Sequence, residues 1–116
     1  ESKTNYLIFR PHNVIGPQMG FEHVIPQITK KFYENKKLIE KKKPIKLEIQ
    51  GGGKTSRSFI YIDDFVDACK TIMKKVDKYS IWNVGSGVGT QVIEIVKLCQ
   101  ELENNNNEIS YCAKRL

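Results

Sequence analysis

The stretch FIYIDDFVDACKTIMKKV, residues 59–76, carries two periodicities back to back. Its first four residues form a short apolar run that reads as a strand. From Phe65 the apolar positions fall at 65, 69, 72, 73 and 76, the spacing of one helix face. Asp63 and Asp64 stand at the junction, where a carboxylate can cap a helix N-terminus. Asp67 adds negative charge near the positive end of that helix. A strand that feeds a helix this directly is half of a βα unit, so the fold turns on whether the alternation continues.

It continues on both sides. Tyr6-Leu7-Ile8-Phe9 is an unbroken apolar run, consistent with a strand buried on both faces. After a loop at residues 16–20, apolar residues at 21, 24, 25, 28, 32 and 39 predict a helix. Pro26 fits only the first turn of that helix. The helix is expected to fray at residues 35–37 and cannot pass Pro44. Residues 45–49 alternate strictly and predict a half-exposed strand, ended by Gly51-Gly52-Gly53. Residues 81–84 read as another strand and residues 85–89 as a loop. Thr90 is the expected N-cap of a helix with its stripe at 92, 95, 96, 99 and 102, and residues 109–111 read as a last strand. The order predicts an α/β fold with parallel pairing.

A chain of 116 residues holds one domain with a real core. No apolar run approaches the ~20 residues of a membrane span. The first residues carry no signal-peptide pattern, and a cytoplasmic setting is expected. The first residue is Glu1 and not Met, which reads as a piece of a longer polypeptide. Cys69, Cys99 and Cys112 are odd in number and far apart, the pattern of reduced thiols and not of a disulfide or zinc framework.

The net charge of +6 is local. Residues 30–46 hold eight lysines and two glutamates, and the rest of the chain balances. With no arginine among them, these lysines read as a solvated helix end and loop. The competing reading is a stand-alone basic module for nucleic acid or other anionic partners, although such surfaces usually mix Arg, Lys and stacking aromatics. Asn104-Asn105-Asn106-Asn107 reads as a surface loop.

Two glycine clusters imitate phosphate-binding motifs and fall short. Gly53-Lys54-Thr55 matches the end of a P-loop, but Glu48 stands where its first glycine belongs, and a strand follows in place of a helix. Gly85 and Gly87 begin a dinucleotide fingerprint, but Thr90 takes the place of its third glycine. Arg57 is a better candidate. Its guanidinium can grip a phosphate with two parallel hydrogen bonds, and it follows a glycine run that lets a ligand approach. The segment Arg10-Pro11-His12-Asn13 ends the first strand, where α/β sheets bind their ligands. Asn13 can donate and accept there, while His12 alone reads as a packed or solvated histidine sooner than a catalytic one. His12 and His23 have no carboxylate or thiol at metal-ligand spacing.

RPHNVIGP, then GFEHVIPQI, then IQGGGKTSRSFIYIDDFVDA, then WNVGSGVGTQVIEI, in that order, resemble the extended short-chain dehydrogenase/reductases. More narrowly, the chain is similar to the NAD-dependent nucleotide-sugar epimerases and dehydratases over residues 6–102. The resemblance implies the C-terminal portion of a Rossmann-like doubly wound sheet with part of a small substrate lobe. It makes residues 1–116 the C-terminal portion of an epimerase/dehydratase domain whose N-terminal dinucleotide-binding half is absent. It implies NAD or NADP as cofactor, mostly bound by that absent half. It implies a UDP-, GDP- or dTDP-linked sugar as substrate, no membrane or nucleic-acid partner, and a homodimer of the full-length isomerase or lyase. It sets Pro11, His12 and Asn13 beside the nicotinamide, with Asn13 also near the substrate diphosphate. His23 and Val24 would meet the diphosphate and ribose, Glu48 and Gln50 would flank the base, and Arg57 would clamp the diphosphate. Asp64 would cap its helix. Many relatives carry an aromatic where Gln50 stands. The family's catalytic Tyr-x-x-x-Lys is expected upstream; Tyr33 and Lys37 match its spacing by chance. No catalytic residue is therefore expected in this chain.

Overall fold

The computed structural model describes residues 5–47, 49–76, 79–104 and 109–110. The chain runs β1 (Leu7–Pro11), β2 (Asn13–Ile15), α1 (Val24–Glu34), α2 (Lys36–Glu40), β3 (Ile45–Lys46), a 3-10 turn (Gln50–Gly53), β4 (Ser56–Tyr61), α3 (Ile62–Lys75), β5 (Ser80–Val84), β6 (Gly89–Gln91), α4 (Val92–Leu102) and β7 (Ile109–Ser110). Hydrogen bonds order the strands as β1-β5, β2-β4-β6 and β3-β7. β1 with β5, β2 with β4 and β3 with β7 all pair in parallel, as the alternation predicts. Two compact units emerge: residues up to Gln18 with Ser58–Gly89, and Met19–Arg57 with residues from Thr90 on. No described helix is long and apolar enough to cross a membrane.

In the first unit, β1 and β5 align Leu7 with Ser80 and Pro11 with Val84. β1 runs on through Arg10 and Pro11, so the strand does not stop at Phe9. After His12 alone, the chain resumes as β2, which pairs with β4 from Asn13↔Phe59 to Ile15↔Tyr61. α3 packs against β1 and β2. Its inner face is Phe65, Ala68, Cys69 and Ile72, all half-buried; Met73 was expected there but is 62% exposed. α3 begins at Ile62 directly after β4, so its N-cap is Tyr61. Asp63 and Asp64 therefore lie inside the first turn and oppose the helix dipole, and neither is the cap. The expectation that β1 is buried on both faces fails: Ile8 and Ile81, paired in register, are 43% and 54% exposed.

The second unit holds most of the buried apolar side chains. α1 packs on α4 through Ile28 and Phe32 on one helix and Val92, Ile95 and Val96 on the other. Ile45, Leu47 and Ile49 are buried, as strict alternation predicts, although only Ile45–Lys46 forms a strand. Pro26 sits in the first turn of α1, where backbone N–H groups have no partner in any case. Phe21 lies in the turn before α1, largely exposed beneath the Lys30 ammonium, and is not part of the helix face. α1 stops at Asn35, whose Nδ2 donates to the Lys31 carbonyl at 2.8 Å. α2 ends in a Schellman turn: Lys43 N–H donates to the Leu38 carbonyl and Lys42 N–H to the Ile39 carbonyl. Lys42 occupies the left-handed position, φ 52°, that glycine usually fills. α4 starts after Gln91 and not after Thr90, which lies in β6. The Glu94 carboxylate accepts the Gln91 N–H at 2.6 Å. Gly53, φ 72°, lets the 3-10 turn meet this helix start, since a Cβ would sit 3.1 Å from Ile93 N.

Cys69 and Cys99 are free and half-buried; Cys112 lies outside the described residues. Burial pushes the Cys99 thiol above its ordinary range, and the Glu103 carboxylate adds to the shift. Its neutral form is thus favoured by folding. That stabilisation holds below the thiol's unfolded value and fades as pH climbs through the raised one. Cys99 should react with iodoacetamide more slowly in the native chain than in the denatured chain at about pH 8, measured by mass spectrometry. Val96 is fully buried, so Val96→Ala should lower stability in urea by about 2 kcal/mol. Ile81→Val, on the bare strand face, should stay within about 0.5 kcal/mol.

Candidate functional site

Parallel strands present their carboxyl ends together, and in the first unit β1 and β5 end at Pro11 and Val84. The ladder gains one further rung there, because His12 N–H donates to the Val84 carbonyl at 2.9 Å. That bond turns the His12 side chain over the next residue of the other strand. A Cβ on Gly85 would fall on the His12 imidazole, against Nδ1. Glycine at 85 is therefore what allows the ring to lie there. Pro11, His12 and Asn13 are all exposed. Asn13 Nδ2 donates to the Ser58 carbonyl at 2.9 Å, which fixes the amide on β4 and leaves its Oδ1 and second N–H available. Gly16 closes β2 tightly, since a Cβ would meet Ile62 Cγ2 at 2.8 Å. Sequence reasoning brought Pro11, His12 and Asn13 to this end. It met Gly85 only as the start of an incomplete dinucleotide fingerprint, and it missed Ser58; both reach this strand end from far along the chain.

The remaining candidates belong to the second unit. His23 is the N-cap of α1 but makes no side-chain capping bond; its carbonyl accepts Gln27 N–H at 3.0 Å. Val24 opens the helix, half-buried. Glu22, which sequence reasoning passed over, lies 3.5 Å from His23 Nε2 and folds back over Gly20. It sets a carboxylate beside the helix start where an anion was expected. Gln50 opens the 3-10 turn, and Glu48 lies outside the described residues. Arg57 is the second residue of β4, exposed, and its guanidinium has no hydrogen bond or ion pair among the described residues. A strand backbone aims this side chain while leaving its charged fork free. Tyr33 and Lys37, four apart in sequence, fall on different helices either side of Asn35. Among the described residues no three His, Cys, Asp or Glu side chains gather as a metal site.

Parallel strands joined by helices, with polar groups at their carboxyl ends, make a Rossmann-like α/β arrangement. The chain belongs to the NAD dependent epimerase/dehydratase family, whose sequence pattern matches residues 1–85. It is 32% identical over 103 residues to a dTDP-D-glucose 4,6-dehydratase of Homo sapiens, covering 88% of this chain and 27% of that one. It is 31% identical over 102 residues to a GDP-L-fucose synthase of Sinorhizobium fredii, covering 81% and 30%. Among solved structures it resembles the UDP-glucose 4-epimerase of Thermotoga maritima bound to UDP-glucose, with a TM-score of 0.69 and 28% identity over 95% of this chain and 33% of that one. The chain thus spans about a third or less of the relatives it matches. Nothing in these likenesses supports a stand-alone basic module.

The contact between Gly85 and His12 generates one prediction. Gly85→Ala should drive the imidazole off the strand end and lower stability by about 1–3 kcal/mol, as overpacking does. The His12 ring resonances in NMR spectra and the thermal midpoint would report it. Unmoved ring resonances would refute the contact.

Proposed function

We propose that residues 1–116 are the C-terminal portion of an NAD(P)-dependent nucleotide-sugar epimerase or dehydratase, with the dinucleotide-binding half lying outside them. The observation that carries this reading is the bare parallel pair β1–β5. The apolar run at residues 6–9, most of it in β1, has the sequence of a strand covered on both faces, yet Ile8 and its partner Ile81 in β5 lie open. Such strands belong in a wider sheet clothed by helices on both sides. Relatives about three times as long, of the same family, fit that requirement.

In this reading the whole enzyme is a homodimeric, cytoplasmic short-chain dehydrogenase/reductase acting as an isomerase or lyase. Its substrate is a sugar linked to UDP, GDP or dTDP. Pro11, His12 and Asn13 fit the nicotinamide end of a dinucleotide, being exposed at parallel strand ends with no acidic group among them. The incomplete glycine fingerprint at residues 85–90 argues that its diphosphate is held elsewhere. When bound, the nicotinamide would supply the hydride acceptor and donor for a transient keto-sugar.

This chain's own part is binding and orientation. Asn13 offers Oδ1 and an N–H to the sugar nucleotide. Arg57 clamps the diphosphate through two charge-assisted hydrogen bonds. His23 and Val24 bring the start of α1 to the diphosphate and ribose, and Glu48 and Gln50 flank the base. No residue of this chain moves the proton.

Arg57→Ala in the full-length polypeptide should weaken nucleotide-sugar binding by ~2–3 kcal/mol, the range for a charged hydrogen-bond partner. Titration calorimetry with UDP-glucose, dTDP-glucose and GDP-mannose would measure it. Unchanged affinity and rate for the sugar nucleotide that binds would remove Arg57 from the pocket.

A further inference from the structure

In the first unit, Ser58 lies where three separate pieces of chain converge. Its carbonyl accepts Asn13 Nδ2 at 2.9 Å. Its hydroxyl lies 3.3 Å from the Ser86 hydroxyl. Ser86 in turn closes its own turn: Val88 N–H donates to Ser86 Oγ at 3.3 Å, and the same hydroxyl lies 3.4 Å from the Val88 carbonyl. Gly87 takes φ 74° within that turn, a conformation that glycine alone adopts freely. Gly85, at the start of the turn, carries the His12 ring. His12 and Asn13 are neighbours in sequence but leave the chain in different directions. Both paths lead back to Ser58, one through its carbonyl and one through its hydroxyl.

We propose that Ser58 and Ser86 form a hydroxyl latch that positions the His12 side chain at the strand ends, independently of Asn13. A hydroxyl can donate one hydrogen bond and accept others, so the pair can tie β4 to the turn without adding charge at the strand ends. The ladder alone fixes the His12 backbone, through Val84. The ring position depends on Gly85, and Gly85 is placed by the turn that Ser86 closes. Removing the Ser58 hydroxyl unties the turn from β4, and removing the Ser86 hydroxyl also opens the turn, while the Ser58 carbonyl, part of the β4 backbone, still holds Asn13. The latch therefore separates two functions of adjacent residues. Its meaning for catalysis rests on the proposed function, in which His12 faces the nicotinamide and Asn13 the sugar nucleotide. Ser58 and Ser86 are positioning residues, acting through His12.

The test is a cycle of Ser58→Ala, Ser86→Ala, the double variant and Ser58→Thr in the full-length polypeptide. The first readout needs no ligand: His12 ring resonances in protein labelled at histidine, and the Asn13 side-chain amide in protein labelled at asparagine. Each alanine variant should shift and broaden the His12 signals and leave the Asn13 amide in place. The double variant should look like Ser86→Ala alone, and threonine at 58 should restore the wild-type spectrum. The second readout is steady-state turnover with NAD or NADP and UDP-glucose, dTDP-glucose or GDP-mannose. The alanine variants should lose roughly three- to tenfold in kcat or in cofactor KM, as for a neutral hydrogen bond, with the nucleotide-sugar KM unchanged. Unmoved His12 resonances in both single variants, additive effects in the double variant, or no rescue by threonine would each overturn the latch. Should Ser58→Ala unfold the strand, Ser86→Ala on the exposed turn decides alone. A wild-type protein that turns over none of these sugars would overturn the nucleotide-sugar reading, and the spectra would still decide the latch.

Discussion

One hydrogen-bonded ladder sets the geometry of the first unit. β1 and β5 run parallel from Leu7↔Ser80 to Pro11↔Val84, and His12 adds the last rung. Parallel pairing puts the two carboxyl ends level, so the residues just past them, His12 and Gly85, must face one another. That encounter admits only glycine at 85 if the imidazole is to stay. The same chain then leaves the ladder, and β2 begins again one residue later beside β4. A single residue of transfer between two pairings is why polar side chains gather there. The backbone is already committed to hydrogen bonds, and the exposed side chains of His12 and Asn13 stand at the strand ends, the Asn13 amide tied to the Ser58 carbonyl.

The second unit solves a different problem, that of burying short elements well. Ile45, Leu47 and Ile49 are buried in it, and Ile28, Phe32, Val92, Ile95 and Val96 belong to the packed helices. Helix ends are closed locally, by Asn35 at α1, a Schellman turn at α2 and Glu94 at α4. With these needs met inside the unit, the exposed charges of α2 and the guanidinium of Arg57 have no structural work among the described residues. For the lysines this fits a solvated face. For Arg57 it leaves a cation aimed by a strand and available to an anion.

Much of this was legible because hydrophobic period is a local property. The spacing at 24, 25, 28 and 32, and at 92, 95 and 96, announced α1 and α4 directly. Alternation at 45–49 announced which side chains are buried, even where strand pairing is short. The misreadings share a cause, which is that they depended on partners. Tyr6-Leu7-Ile8-Phe9 reads as doubly buried because a parallel strand is built for a covered sheet, and here one face is open. Asp64 and Thr90 look like caps by type, but the neighbouring strands run on into the helices and make Tyr61 and Gln91 the boundary residues. For the candidate site, the strand-end residues were visible as a polar break after an apolar run. Ser58 and Ser86 were not, and Gly85 showed only as a glycine of a turn, since their contacts with the strand end exist only once distant segments meet.

The register of β1 against β5 also bears on how the chain acquires its structure in time. Leu7 meets its partner only at Ser80, roughly 70 residues downstream, and loop-closure entropy opposes so distant a contact until much else is formed. α1 and α4 can gain helix from local bonds alone, but the strand ends that hold His12 and Asn13 cannot. During synthesis β1 emerges well before β5, and this ladder cannot form until β5 follows. The strand that carries the candidate residues is therefore made well before the partner that secures it.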